Sequence, residues 1–207
     1  MFNGIIYNQG TVSKIVKRPK GLNLFIKSNL KITKKDIGLS VACDGVCLTL
    51  ISYELKIMEF YLSKETISRS RFKFLKINDR INLELPLKYG TKISGHICQG
   101  HVDTVGKILK IRKIDKSFLF DFEISKKERK NLIEKASICV NGISLTISKI
   151  TQKGFQIWQL RYYFHPRKDT RSLIRLQNCL EHGRHHRVAN HIHRRRDPSI
   201  GWPNRDP

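Results

Sequence analysis

Apolar and polar residues alternate at a period of two along much of the chain. Ile81, Leu83 and Leu85 stand among Asn82 and Glu84, the pattern of a strand with one buried face. Short β-prone runs occur at residues 23–27, 47–53 and 56–62. Others follow at 102–111, 118–124, 145–150 and 155–158. Asp44-Gly45 and Asn141-Gly142 sit between β-prone flanks and predict tight hairpin turns, because both central positions of such a turn need positive φ. Helical signals are few. Residues 126–135 are the best candidate, polar with Leu132 and Ile133 turned inward. A short helix at 34–38 would use Thr33 as its N-cap. Many short strands with regularly spaced turns predict an all-β barrel or sandwich.

The pattern also occurs twice. Ser40-Val41-Ala42-Cys43-Asp44-Gly45-Val46-Cys47-Leu48-Thr49 is matched 97 positions later by Ser137-Ile138-Cys139-Val140-Asn141-Gly142-Ile143-Ser144-Leu145-Thr146. Ser, Gly, Leu and Thr are identical at four places, and three further pairs are conservative. Upstream, Thr11-Val12-Ser13-Lys14-Ile15 resembles Thr104-Val105-Gly106-Lys107-Ile108 at a spacing of 93. Two blocks in one order at nearly one spacing predict a duplicated domain. The expected division is a first barrel over 1–93 and a second over 94–158, with punctuation near Pro86, Gly90 and Gly95.

Composition changes this picture only at the C-terminal end. The 207 residues carry a formal charge of +23, of which residues 1–157 hold +16 and 158–207 hold +7. In the body the lysines are scattered, with no basic stripe interleaved with aromatics, so nucleic acid is not the expected partner. After residue 158 arginine replaces lysine, and six of the eight histidines lie there. That stretch reads as an RNA- or metal-binding extension, or as a segment from another reading frame. The Lys-to-Arg switch favours the second, so 159–207 is expected to be a non-homologous basic tail, disordered or frameshifted. No run of apolar residues is long enough for a membrane helix, and the start lacks the build of a secretory signal. Five cysteines without a metal-type CxxC pair read as reduced thiols, which predicts a cytoplasmic protein.

Candidate chemistry gathers at the repeated turns and the junction. Cys47 and Ser144 occupy equivalent turn exits, each followed by Leu-Thr, and either side chain is a nucleophile or a hydrogen-bonding group. The pairs Cys47/Thr49 and Ser144/Thr146 predict two equivalent pockets. Hydroxyl or thiol groups beside glycine amides suit an uncharged heterocycle better than a phosphate, and no Gly-rich phosphate loop is present. His96 and His101 lie five apart without a completing set of ligands. No metal is therefore expected, and proton transfer or hydrogen bonding is their expected use.

These residues resemble a known family. Met1-Phe2-Asn3-Gly4-Ile5, Asp44-Gly45-Val46-Cys47-Leu48-Thr49, Lys64-Glu65-Thr66, the Gly95-His96 to Gly100-His101-Val102-Asp103 block and Asn141-Gly142-Ile143-Ser144-Leu145-Thr146 follow the order and spacing of alpha-type riboflavin synthases. The resemblance covers about residues 1–157. It implies tandem six-stranded Greek-key barrels, each binding one 6,7-dimethyl-8-ribityllumazine. It further implies dismutation of two such molecules to riboflavin and 5-amino-6-(ribitylamino)uracil, in a homotrimer, without metal or cofactor. By carry-over, His101, Cys47, Ser144 and Ser40 are the expected catalytic residues. Substrate contacts are expected from Phe2, Gly4, Ile5 and Ile6, from Cys47, Leu48 and Thr49, and from Tyr61, Leu62, Ser63, Lys64, Glu65 and Thr66. Gly100, His101, Val102, Lys135, Ser144, Leu145 and Thr146 complete that set. His101 is assigned proton transfer. Beyond 158 the family's continuing segment has no evident counterpart, so the second barrel is expected to lack its closing strands. The alternatives are a non-catalytic lumazine- or flavin-binding protein of the same fold and an inactive, frameshifted synthase.

Overall fold

A computed structural model describes the backbone of residues 1–160 and 173–178, and side chains as far as residue 159. The first half forms β1 (Asn8–Arg18), β2 (Gly21–Ser28), β3 (Ser40–Cys43), β4 (Val46–Glu54), β5 (Ile57–Ser63) and β6 (Arg80–Glu84), with a one-turn helix α1 (Lys64–Ser68) after β5. They close into a barrel in the order β1-β2-β5-β4-β3-β6. β5 returns beside β2 while β3 and β4 lie beyond it, which is a Greek-key connection. Alternate residues turn inward. Leu24, Ile26, Val41, Leu50, Phe60, Leu62 and Ile81 are fully buried in one core. An ion pair joins buried Asp44 to half-buried Arg71 (2.5 Å), and the other Asp44 oxygen accepts the Asn82 amide (2.9 Å).

The second half repeats the plan with β7 (Thr104–Ile114), β8 (Ser117–Glu123), α2 (Lys126–Arg129), β9 (Ser137–Val140), β10 (Ile143–Ile150) and β11 (Gly154–Leu160). Ile108, Phe120, Phe122, Ile147, Phe155 and Ile157 form its core. These five strands alone leave the barrel one short, as the sequence leads one to expect. The sixth place is taken by β12 (Leu173–Asn178), which pairs with β7 and β9 and closes the ring β10-β11-β8-β7-β12-β9. The expectation that nothing after 158 continues the barrel is corrected here. Leu176 pairs with Val140 as Leu83 pairs with Cys43, so β12 holds the place of β6. The remaining tail, 161–172 and 179–207, lies outside the described residues.

Register also corrects the repeat. β1 bulges between Val12 and Lys14, and β7 bulges between Ile108 and Lys110. Val12 therefore corresponds to Ile108 and Gly10 to Gly106, an offset of 96 rather than 93. The bulges of β4 and β10, between Leu50/Ser52 and Ile147/Lys149, keep the offset of 97. A match of five residues within a Lys- and Ile-rich strand slips easily, whereas a bulge fixes register by geometry.

Both Asx-Gly turns have positive φ at their central residues (48° and 80°; 48° and 81°), as expected of hairpin turns. The helix expected over 126–135 shrinks to the single turn of α2, capped by the Ser125 hydroxyl. Its sequence offers too little apolar face to pack, and a short helix is marginal without packing. The turn after Thr33 is a 3-10 helix, Lys34–Asp36, with Thr33 and Asp36 capping each other. Those bonds from Thr33 hold the Asp36 carboxyl below its ordinary pKa. The helix α1 and the full length of β1 have no clear signal in the sequence.

Candidate functional site at the seam of the two barrels

Each barrel is preceded by an arm, and each arm docks on the turn of the other barrel. In the first arm Gly4 has φ +72°, and its carbonyl accepts the Ser144 amide at 2.8 Å. In the second arm Gly100 has φ +88°, and its carbonyl accepts the Cys47 amide at 3.0 Å. Both positions require glycine for a second reason. A Cβ on Gly4 would lie 2.6 Å from the Ser144 Cβ, and one on Gly100 would collide with the Cys47 Cβ. Between them Phe2 and Cys98 form a β-bridge, with each amide donating to the other's carbonyl at 2.8 and 2.9 Å. Phe2, Ala42, Cys98 and Cys139 make a small buried cluster there, with Cys47 packed against it. The two turns touch as well, since a Cβ on Gly142 would lie 2.8 Å from the Gly45 nitrogen, and Asn82 Nδ2 of β6 donates to the Asn141 carbonyl at 3.0 Å.

At each turn exit two strands separate. β4 pairs with β5 only from Leu50↔Phe60 to Glu54↔Ile57. Cys47, Leu48 and Thr49 thus face Tyr61, Leu62 and Ser63 without a ladder between them. β10 and β11 repeat this, with pairing that ends at Ile147↔Ile157 and leaves Ser144, Leu145 and Thr146 beyond it. Next to these openings, Ser40 pairs with Thr49 and Ser137 with Thr146. Each opening therefore offers strand-edge backbone groups together with hydroxyl or thiol side chains. Such an edge recognises a flat ligand bearing amides and carbonyls much as it recognises a strand.

The sequence matches the lumazine binding domain over residues 3–86 and again over 99–162. The chain belongs to the lumazine-binding domain family. Its relatives include the riboflavin synthase of Chlamydia pneumoniae, 37% identical over 158 residues that span 76% of this chain and 77% of that protein. The riboflavin synthase of Photobacterium phosphoreum is 32% identical over 158 residues, 76% of this chain and 72% of that one. Among solved structures, LumP complexed with 6,7-dimethyl-8-(1'-D-ribityl) lumazine superposes with a TM-score of 0.71 at 19% identity. The match covers 85% of this chain and 98% of LumP. LumP complexed with riboflavin gives 0.73 at 20% identity over the same shares. At such identity the likeness is one of fold.

Pairing and amide contacts set Cys47, Ser40, Thr49 and Gly100 at the first opening, and Gly4, Ser144, Leu145 and Thr146 at the second. His101 and Val102 follow Gly100 in the chain, and Ile5 follows Gly4. Lys135 has φ +64° and donates its amide to the Ile147 carbonyl at 2.8 Å, which places it beside β10. Other expected residues are engaged in the fold itself. Phe2 is buried in the seam, and Leu48, Leu62 and Ile6 are buried in the protein. The Tyr61 hydroxyl donates to the Lys20 carbonyl at 2.9 Å. Ser63 caps α1 through the Thr66 amide (3.2 Å), Lys64 opens that helix, and Glu65 pairs with Arg69 on the surface.

The histidines divide unexpectedly. His101, assigned proton transfer from the sequence, has an exposed side chain. His96 instead directs Nδ1 at the Ser144 Oγ, and its amide donates to the Asn3 carbonyl at 3.1 Å. The sequence showed a histidine pair but not which hydroxyl either would meet, because that contact joins residues 48 apart. Among the described residues no three His, Cys, Asp or Glu side chains are placed to hold a metal ion, and Cys43, Cys47, Cys98 and Cys139 are not disulfide-bonded. No described helix is long and apolar enough to cross a membrane.

Proposed function

We propose that this chain is a riboflavin synthase that converts two molecules of 6,7-dimethyl-8-ribityllumazine to riboflavin and 5-amino-6-(ribitylamino)uracil. The observation that carries this reading is the pair of equivalent openings, one marked by Cys47 and the other by Ser144, each completed by the arm of the opposite barrel. A reaction between two copies of one molecule needs two related places to hold them. Holding both removes association entropy worth up to about 7–11 kcal/mol. It also needs the two places to differ, because one molecule gives up a four-carbon unit and the other receives it. The second opening has the contact of His96 with Ser144 where the first has the thiol of Cys47, and this supplies such a difference. Positioned acid–base groups add about 10²–10⁴-fold to such steps, and His101, Ser40, Cys47 and Ser144 remain the residues assigned to them. The active assembly is a homotrimer in which the first pocket of one subunit faces the second pocket of its neighbour.

Mixing the purified protein with the lumazine and following riboflavin by its absorbance tests the reaction. Riboflavin is expected, and a scattering mass three times the 24.1 kDa of the chain is expected with it. Likeness to LumP in complex with lumazine and with riboflavin favours a second reading, a lumazine- or flavin-binding protein without turnover. Saturable binding with no product would establish that reading and remove the first.

A further inference from the structure

Glu84 ends β6 on the first barrel, yet its carboxylate is spent on the first arm. Oε1 accepts the Asn3 amide at 2.6 Å and Oε2 accepts the Gly4 amide at 3.0 Å. On this side of the arm a cavity of about 240 Å³ runs along Asn3, Ile5, Leu83, Glu84 and Leu85. Burial raises the Glu84 pKa against the opposing pull of those two amides and of the N-terminal amino group. The other faces of the same two arm residues meet the second pocket. The Gly4 carbonyl accepts the Ser144 amide at 2.8 Å, and the Asn3 carbonyl accepts the His96 amide at 3.1 Å. The Asn3 Oδ1 accepts the Gly95 amide at 2.8 Å. One carboxylate thus fixes the two residues that in turn fix Ser144 and His96.

We infer that Glu84 is a positioning residue of the second pocket: it seats the first arm so that Gly4 and Asn3 hold Ser144 and His96 in place. The inference rests on the reading that Ser144 belongs to a ligand pocket. It is specific to one pocket. In the second barrel Gln177 pairs with Cys139 as Glu84 pairs with Ala42, so no carboxylate stands at the matching register position. A glutamine at 84 keeps the size of the side chain but replaces one acceptor oxygen with an amino group, which then opposes an arm N–H.

The test compares the full chain with Glu84→Gln, first without ligand. Amide hydrogen exchange at Asn3, Gly4 and Ser144 is expected to speed up about tenfold or more, the equivalent of about 1.4 kcal/mol. Exchange at Cys47, which the other arm holds, is expected not to change. Titration with 6,7-dimethyl-8-ribityllumazine should then show one site weakened about tenfold and the other unaffected. Unchanged exchange at Ser144 overturns the inference. Faster exchange across both barrels together overturns it too, because it marks a merely structural role. Local loosening at Ser144 in a protein that binds no lumazine upholds the seating and removes the pocket reading, so the two failures are distinct.

Discussion

Gln159 is the residue most at odds with its surroundings. The register makes it the counterpart of Leu62, two positions after Ile157 as Leu62 is two after Phe60. Leu62 is fully buried in its core, whereas Gln159 is 8% exposed and its Oε1 has no hydrogen-bond partner among the described residues. A buried polar atom left without a partner costs about 1–3 kcal/mol. Gln159→Leu is therefore expected to stabilise the protein by about 1–3 kcal/mol, measured as a rise in the urea midpoint with an unchanged m-value. A neighbouring lesson concerns Ser144. Its residue type was legible in the repeat, but its partner His96 was not, because proximity in a barrel seam has no local sequence signal.

Among the elements, the arms and the splayed strands do the most to shape the site. Gly100 holds its arm at φ +88° with its carbonyl accepting the Cys47 amide, and an added Cβ would collide with Cys47. A side chain in that conformation costs about 1–3 kcal/mol before any collision is counted. Gly100→Ala is expected to destabilise the chain by at least that amount. It should also weaken lumazine binding at the Cys47 pocket more than at the Ser144 pocket, as read from two-site fluorescence titration. The strands themselves were legible because each runs as a short alternating or apolar segment between turns. What was not legible is where the β4–β5 and β10–β11 ladders stop. The same residues, Leu48 and Leu50 for example, read as one continuous strand whether or not a partner strand follows them.

At the scale of the molecule, closure of the second barrel depends on β12. Without it the edges of β7 and β9 are bare, and exposed edges pair with other chains. Truncation after residue 160 is expected to unfold or aggregate the second barrel while the first keeps its exchange protection, checked by hydrogen exchange and light scattering. Linkage at Glu84 gives a second test on the whole protein. Its folded pKa is raised above the ordinary 4.5, chiefly by burial. Between 4.5 and the raised folded value the native state binds more protons than the unfolded one. The contribution of this group is thus fully present below the unfolded pKa and lost as pH rises through the folded pKa. Denaturation midpoints across that window are expected to fall with rising pH more steeply in the wild type than in Glu84→Gln.

By itself the sequence determined that the protein is a duplicated all-β chain, that each copy turns at an Asx-Gly pair, and that a thiol and a hydroxyl mark equivalent places. Those features are set by alternation, by turn chemistry and by residue type, all of which act over a few positions. Only the tertiary structure decided that the arms cross to the opposite barrels, that Ile174-Arg175-Leu176 stands where Ile81-Asn82-Leu83 does, and that Glu84 reaches back to Asn3 and Gly4. Each of these joins residues far apart in the chain. Their pairing depends on which backbone groups remain unsatisfied once both barrels have formed, and a local pattern carries no record of that.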